Sequence, residues 1–139
     1  MRKERKESMR FLDDEWYEIH LKKIGETFTV PGKLNTSLVE VYRNVWGEPG
    51  NVKWIKYEVE NTMVKEITHG EGEDSVPEAA FRCFGEYKSY VSVCQRRLDP
   101  KMGILGGVFK LEGGVMAAMP MLPVYDKLTQ CKRVNGMEF

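Results

Sequence analysis

The segment Asn51–Glu60 constrains this chain more than any other. Ile55, Tyr57 and Val59 alternate with Lys56, Glu58 and Glu60. A period of two suits a strand with one buried face and one wet face. Asn61-Thr62 is the expected hairpin turn into Met63–Thr68, which runs back as a partner strand with weaker alternation. An antiparallel sheet is therefore the frame around which the other elements must fit.

Upstream, Asp13 is placed to cap a helix running to about Ile24. Asp14 and Glu15 occupy its first turn, where the helix dipole favours acids. Leu12 can staple onto Tyr17, Trp16, Ile19 and Ile24 form an apolar stripe, and Gly25 is the expected stop. Residues 1–10 are polar and expected to fray, leaving 11–139 as a single domain. Thr27–Asn35 contains Pro31-Gly32 and reads as a loop. Ser37 with Glu40 imitates a capping box, yet Val39, Val41 and Val45 alternate and are β-branched. Ser37–Trp46 is therefore expected as a strand, closed by a turn at Gly47–Gly50.

Downstream, His69–Pro77 reads as a polar loop and Glu78–Phe84 as a fourth strand with Ala79, Phe81 and Cys83 on one face. Tyr87, Tyr90, Val91, Cys94 and Leu98 recur at helical spacing, which predicts an amphipathic helix from Gly85 to about Arg97. Asp99-Pro100 ends it, and Pro100 starts a short helix that stops near Gly106-Gly107. Val108–Glu112 is a fifth strand, followed by a turn at Gly113-Gly114 and a helical segment from Val115 to about Val134. This order is α+β with a largely antiparallel sheet. Pro120 and Pro123 each remove a backbone donor and crowd the preceding turn, so a regular helix is not expected there. The segment Met119–Pro123 should be irregular, with a helix resuming through Leu128 and Cys131.

With 139 residues, the chain suffices for one core. Lys+Arg and Asp+Glu both number 21, so the strongly basic surface of a nonspecific nucleic-acid binder is missing. Charge is unevenly spread, however. Residues 58–78 carry seven acids against Lys65 alone, whereas residues 87–134 carry eight bases against Asp99, Glu112 and Asp126. Solvated faces of unlike sign explain this; a mildly basic surface that approaches anionic head groups is the functional reading. The longest nearly uncharged apolar stretch, 115–125, is too short to span a bilayer and contains both prolines. The N-terminal residues have no apolar run after them, and a secretory signal is not expected. Cys83, Cys94 and Cys131 are an odd, scattered set that suits buried thiols in a reducing cytoplasm.

Motifs for turnover are missing. There is no Gly-x-Ser-x-Gly elbow, phosphate-cradling glycine loop or Cys-x-x-Cys pair, and the two histidines, His20 and His69, lack a metal-ligand spacing. No metal or other cofactor is called for. Binding is the better reading, and the apolar end of the chain points to the class of ligand. Met102, Ile104, Leu105, Val108, Phe109, Leu111, Val115, Met116, Met119, Met121 and Leu122 crowd into a short stretch punctuated by glycines. Methionine adapts to irregular apolar shapes, and a proline-interrupted helix leaves room for something other than protein. The alternative is that these residues are simply core.

Three runs carry a resemblance: Phe84-Gly-Glu-Tyr-Lys-Ser-Tyr90, Arg97-Leu-Asp-Pro-Lys-Met-Gly-Ile-Leu-Gly-Gly107 and Val108-Phe-Lys-Leu-Glu-Gly113. With Phe11-Leu-Asp-Asp-Glu-Trp16, they resemble the stand-alone members of the sterol carrier protein 2 family of lipid-transfer domains. Val108 and Phe109 depart from the usual opening of the strand, and the paired prolines depart from the usual last helix. The resemblance implies a five-stranded sheet covered on one face by helices, with an apolar cavity between sheet and C-terminal helix. It implies non-enzymatic binding of a fatty acid, fatty acyl-CoA or sterol-like ligand. Phe81, Tyr87, Met102, Leu105, Phe109, Leu111, Met116, Met119 and Leu122 are then the candidate ligand-contacting residues. Transient membrane contact and a homodimer are compatible partners; nucleic acid is not. The competing readings are a homo-oligomeric interaction module and an accessory subunit of an acyl-thioester enzyme.

Overall fold

A computed structural model describes residues 9–27, 33–133 and 137–139. A five-stranded sheet is its frame, built from β2 (Thr36–Arg43), β3 (Lys53–Glu60), β4 (Met63–Glu71), β5 (Phe81–Glu86) and β6 (Lys110–Glu112). The strand order is β4-β3-β2-β5-β6; every pairing is antiparallel except β2 with β5. The parallel pair requires a crossover, and residues 72–80 supply it by passing over the outer face of the sheet.

On the inner face lie α1 (Asp14–Thr27), α2 (Tyr87–Cys94), α3 (Pro100–Leu105), α4 (Val115–Ala118) and α5 (Leu122–Lys132). One core cluster joins Trp16, Tyr17, Tyr90, Val124 and Leu128 of the helices to Leu38, Tyr42, Ile55, Tyr57, Phe81 and Cys83 of the sheet. Burying side chains of this size is the main source of stability, at about 25 cal/mol per Å² of apolar surface. A smaller cluster of Val39, Val41, Val52 and Phe84 sits on the outer face under Val76 and Ala79 of the crossover. Trp54 donates its indole N–H to Ser75 at 2.9 Å and ties the crossover down.

Several elements form where the sequence places them. Asp13 accepts from the Trp16 amide at 2.8 Å and so caps α1. In β3, Ile55, Tyr57 and Val59 are buried. Asn61 and Thr62 both take positive φ, 52° and 64°, the geometry of a tight twisted hairpin turn. Thr62 tolerates this because its amide and hydroxyl bond to the backbone of Leu34. Asp99 caps α3 by accepting from the Met102 amide, with Pro100 in the first turn. The C-terminal segment breaks as the prolines require. α4 stops at Ala118, a 3₁₀ turn covers Met119–Met121, and α5 restarts at Leu122. Pro120 and Pro123 each occupy a first-turn position, where a missing N–H costs nothing.

Other boundaries differ. Met9–Arg10 is not frayed but forms a two-residue strand, β1, paired in parallel with β7 (Met137–Glu138). Residues 1–8 lie outside the described residues, as does most of the expected loop, 28–32. α1 runs past Gly25 to Thr27. The second strand stops at Arg43, since Asn44 and Trp46 adopt positive φ and turn the chain away. β4 continues to Glu71, beyond the expected Thr68, because His69, Gly70 and Glu71 still pair with β3. β5 begins at Phe81, so Ala79 belongs to the crossover. It takes in Gly85, which pairs with Tyr42, so α2 starts only at Tyr87 and ends at Cys94. β6 is confined to Lys110–Glu112, with Phe109 buried just before it.

Candidate functional site

The sheet's inner face is packed densely at one end and loosely at the other. At the loose end a hollow of about 60 Å³ lies between sheet and C-terminal segment. Leu38 and Phe81, register partners on β2 and β5, form its floor with Cys83. Pro100 and Ile104 of α3 line one side, and Phe109 and Leu111 another. Ala118, Met121, Leu122 and Tyr125 come from the C-terminal segment. Val115, Met119 and Lys101 line a second hollow, of about 20 Å³, which shares Ile104, Leu111, Ala118 and Leu122 with the first. The surfaces are almost wholly apolar, so water entering them has little to bond to.

Glycines let the walls come this close. A Cβ on Gly85 would stand 2.4 Å from the Phe109 ring, and one on Gly103 would stand 2.8 Å from it. Phe109 is thus clamped between β5 and α3, 4.8 Å from the Tyr90 ring.

A buried polar network stands beside the hollow. Glu40, on the same strand face as Leu38 and Tyr42, is fully buried and pairs with Lys132 of α5 at 2.5 Å. Tyr42 donates to one carboxylate oxygen and Tyr125 to the other, each at 2.7 Å. Burial and the neighbouring Glu40 charge hold the Tyr125 phenol well above its ordinary pKa, so it stays a neutral donor. Next to this network, Trp16 donates to the Lys132 carbonyl at 2.8 Å. His20 donates from Nδ1 to the Cys131 carbonyl and accepts at Nε2 from Tyr57, both at 2.9 Å. Burial lowers the His20 pKa to about 4, so the ring is neutral at pH 7.

Burial governs the thiols as well. Burial pushes the Cys83 thiol up to about 12 and the Cys94 thiol to about 11, far from a reactive thiolate. All three cysteines are buried and outside any disulfide. His69 stacks on Tyr17 at 3.7 Å. Among the described residues no group of three His, Cys, Asp or Glu side chains is placed to hold a metal ion. Nor, among them, is any helix long and apolar enough to cross a membrane.

The larger cleft, about 380 Å³, lies on the far side of Pro100 and has a mixed lining, with Val93 and Leu98 beside charged and polar side chains. Arg96 and Arg133 line it together with Asp99 and Asp126, so its charges balance. The smaller hollow, with its almost wholly apolar lining, is the candidate site for an apolar molecule.

Of the candidate residues, Phe81, Phe109, Leu111 and Leu122 line the first hollow, and Met119 joins the second. Tyr87 is buried elsewhere, against Phe11. Met102, Leu105 and Met116 point to solvent. Leu38, Ile104, Ala118, Met121 and Tyr125 line the site without standing among the candidates; a floor residue on β2 is invisible until strand order is known. Glu40 had a signal, a lone acid inside the run Leu38-Val39-Glu40-Val41-Tyr42.

Comparison with solved structures now bears on this geometry. A crystal structure of sterol carrier protein 2 superposes with a TM-score of 0.71 at 20% identity, covering 87% of this chain and 95% of its own. The chain has the sterol carrier protein 2 fold. A conserved hypothetical protein of Thermus thermophilus, described as a candidate sterol carrier protein, gives 0.69 at 18% identity, covering 92% of this chain and 91% of its own. The palmitated sterol carrier protein 2-like 2 of Aedes aegypti gives 0.50 at 12%, with 84% and 95% covered. No family model matches the chain. No curated protein matches it either. The five-stranded sheet and the helices over its inner face are the architecture shared with these proteins.

Proposed function

We propose that this protein binds a single lipid chain, a fatty acid or fatty acyl derivative, without transforming it, and carries it through a reducing, cytoplasmic compartment. The observation that carries this reading is the apolar hollow under a proline-broken helical segment. Its lining has almost no polar groups, so burial of methylenes would supply the affinity, about 0.8 kcal/mol each. The palmitate carried by the Aedes relative supports an acyl chain as occupant.

At about 60 Å³ the hollow is too small for such a chain, since ligand pockets run from about 300 Å³ upward. Binding therefore needs the walls to part. The hinge is the segment Gly114–Leu122. α4 spans only four residues and the 3₁₀ turn three, and Gly114 enters them at φ 91°. Short interrupted turns open at low free energy because few backbone bonds must break. The buried pair Glu40–Lys132 holds α5 fixed while α4 moves.

Native mass spectrometry of the purified protein, before and after palmitate addition, tests the reading. One palmitate per chain is expected, and a protein that stays lipid-free at saturating palmitate would refute it. Replacing Pro120 and Pro123 together with Ala restores two amides and lets the helix run on. Exchange of a fluorescent fatty acid should slow several-fold; unchanged exchange would remove the segment from the path.

A further inference from the structure

The larger cleft, of about 380 Å³, lies between the end of α2, the start of α3 and α5. That volume stands at the small end of the range for ligand pockets, about 300–1,000 Å³. Val93 and Leu98 give the cleft an apolar wall. Asp126 and Gln130 stand one turn apart on α5, and Arg133 follows at its C-cap. Arg96 faces them from the end of α2 and Asp99 from the start of α3.

Charges of both signs converge in this cleft, yet among the described residues none of the four forms an ion pair. Asp99 is committed to the α3 cap, accepting from the Met102 amide at 3.1 Å. Asp126 receives only the Gln130 side-chain amide, at 3.3 Å. The guanidinium groups of Arg96 and Arg133 have no acidic partner among the described residues. Arg96 also holds an unfavourable backbone conformation. α2 ends with the Arg96 amide on the Val93 carbonyl at 3.0 Å and the Arg97 amide on the Ser92 carbonyl at 2.8 Å. This termination motif puts its penultimate residue in the left-handed region, and Arg96 has φ 62°. Glycine is the ordinary occupant, having no Cβ to clash. Residues held in such a conformation against their preference concentrate at ligand clamps.

We infer that this cleft binds a small zwitterion of the amino-acid class, with Arg96 and Arg133 on its carboxylate, Asp126 on its ammonium group, and Val93 and Leu98 against an apolar side chain. Guanidinium groups offer a carboxylate paired, charge-assisted donors. A purely anionic ligand would also face Asp99 and Asp126, and a purely cationic one would face both arginines. A ligand carrying both signs leaves neither kind of charge against its like. A wholly apolar one would desolvate the charges without replacing their water. The left-handed arginine then has a reason, since glycine at that position would bring no cation to the cleft. The site is separate from lipid binding in the hollow, with which it shares only Pro100.

Leucine titrated into the intact protein, followed at the Val93 and Leu98 methyl resonances, tests the assignment. Saturable shifts at both are expected by about 10 mM. Isocaproate, which lacks the ammonium group, and isoamylamine, which lacks the carboxylate, should each bind at least about tenfold more weakly. Asp126→Asn should remove the advantage of leucine over isocaproate. Arg96→Gly should bind leucine about tenfold more weakly, while its thermal midpoint rises by about 3 °C as the left-handed strain is relieved. No shift at Val93 and Leu98, equal binding of the three compounds, or an Arg96→Gly variant that binds leucine like the parent would each overturn the inference. Saturation of the cleft by inorganic phosphate or glycerophosphoethanolamine in place of leucine would overturn it too. Palmitate uptake, measured in the same variants, should be unchanged, which keeps a failure of the cleft separate from a failure of the hollow.

Discussion

The two ends of the inner sheet face are built from different materials. Toward α1 and α5, Trp16, His20, Tyr42 and Tyr57 interlock around a buried ion pair, and each polar atom of Glu40 and His20 has a partner. Toward α3 and α4, the contacts are aliphatic, the helices are short, and a hollow remains. Buried polar groups require specific partners, and so they fix one arrangement. Aliphatic and thioether side chains tolerate several. The molecule thus has a rigid end that holds the sheet and last helix together, and a compliant end able to change its volume.

The largest contrast should come from the ion pair. Lys132→Met leaves the Glu40 carboxylate buried without its cation and should cost about 3–5 kcal/mol in denaturant unfolding. Adding Glu40→Gln should recover much of that loss. If the single variant unfolds like the parent, the rigid end is not held by this pair.

Acid should weaken the rigid end next. The folded His20 titrates near 4 rather than 6.5 because burial disfavours its charged form. Below pH 6.5 the unfolded chain takes up a proton that the folded chain refuses. Stability contributed by neutral His20 is complete above pH 6.5 and falls by about 3 kcal/mol as pH drops toward 4. His20→Gln should flatten that part of the curve, and an equal slope in the variant would assign it to other groups.

A smaller pair of substitutions separates packed from hollow space. Gly85→Ala drives a methyl into the Phe109 ring and should cost about 1–3 kcal/mol. Ala118→Leu projects into the hollow and should change stability by less than about 1 kcal/mol while lowering palmitate affinity about tenfold. Equal destabilisation by both, in thermal unfolding, would mean that the two places are packed alike.

Much of this contrast is legible in the sequence, and its limits are physical. The alternation in β3, the Asn61-Thr62 turn, the Asp99-Pro100 boundary and the break at Met119–Pro123 all rest on local geometry, which neighbouring residues decide. Gly85 reads as helix because its role, leaving room for Phe109, depends on a residue 24 positions away. β4 reads as ending at Thr68 because pairing with β3, not its own residues, extends it to Glu71. For the hollow, apolar composition points to the stretch that supplies most of its lining but not to the inward side of each helix. Met102, Leu105 and Met116 are as apolar as Met119 and Leu122, yet α3 and α4 are too short to set a buried stripe. Strand order, which brings Leu38 beside Phe81, lies beyond any local pattern.

Methyl resonances compare the two ends most directly. With the methionine, leucine and valine methyls labelled, palmitate titration should shift Leu38, Leu111, Met119, Met121 and Leu122 in proportion to bound ligand, whereas Leu128, at the rigid end, should stay in place. Shifts that spread equally to Leu128, or that arise at Val93 and Leu98 around the larger cleft instead, would contradict a lipid site at the compliant end.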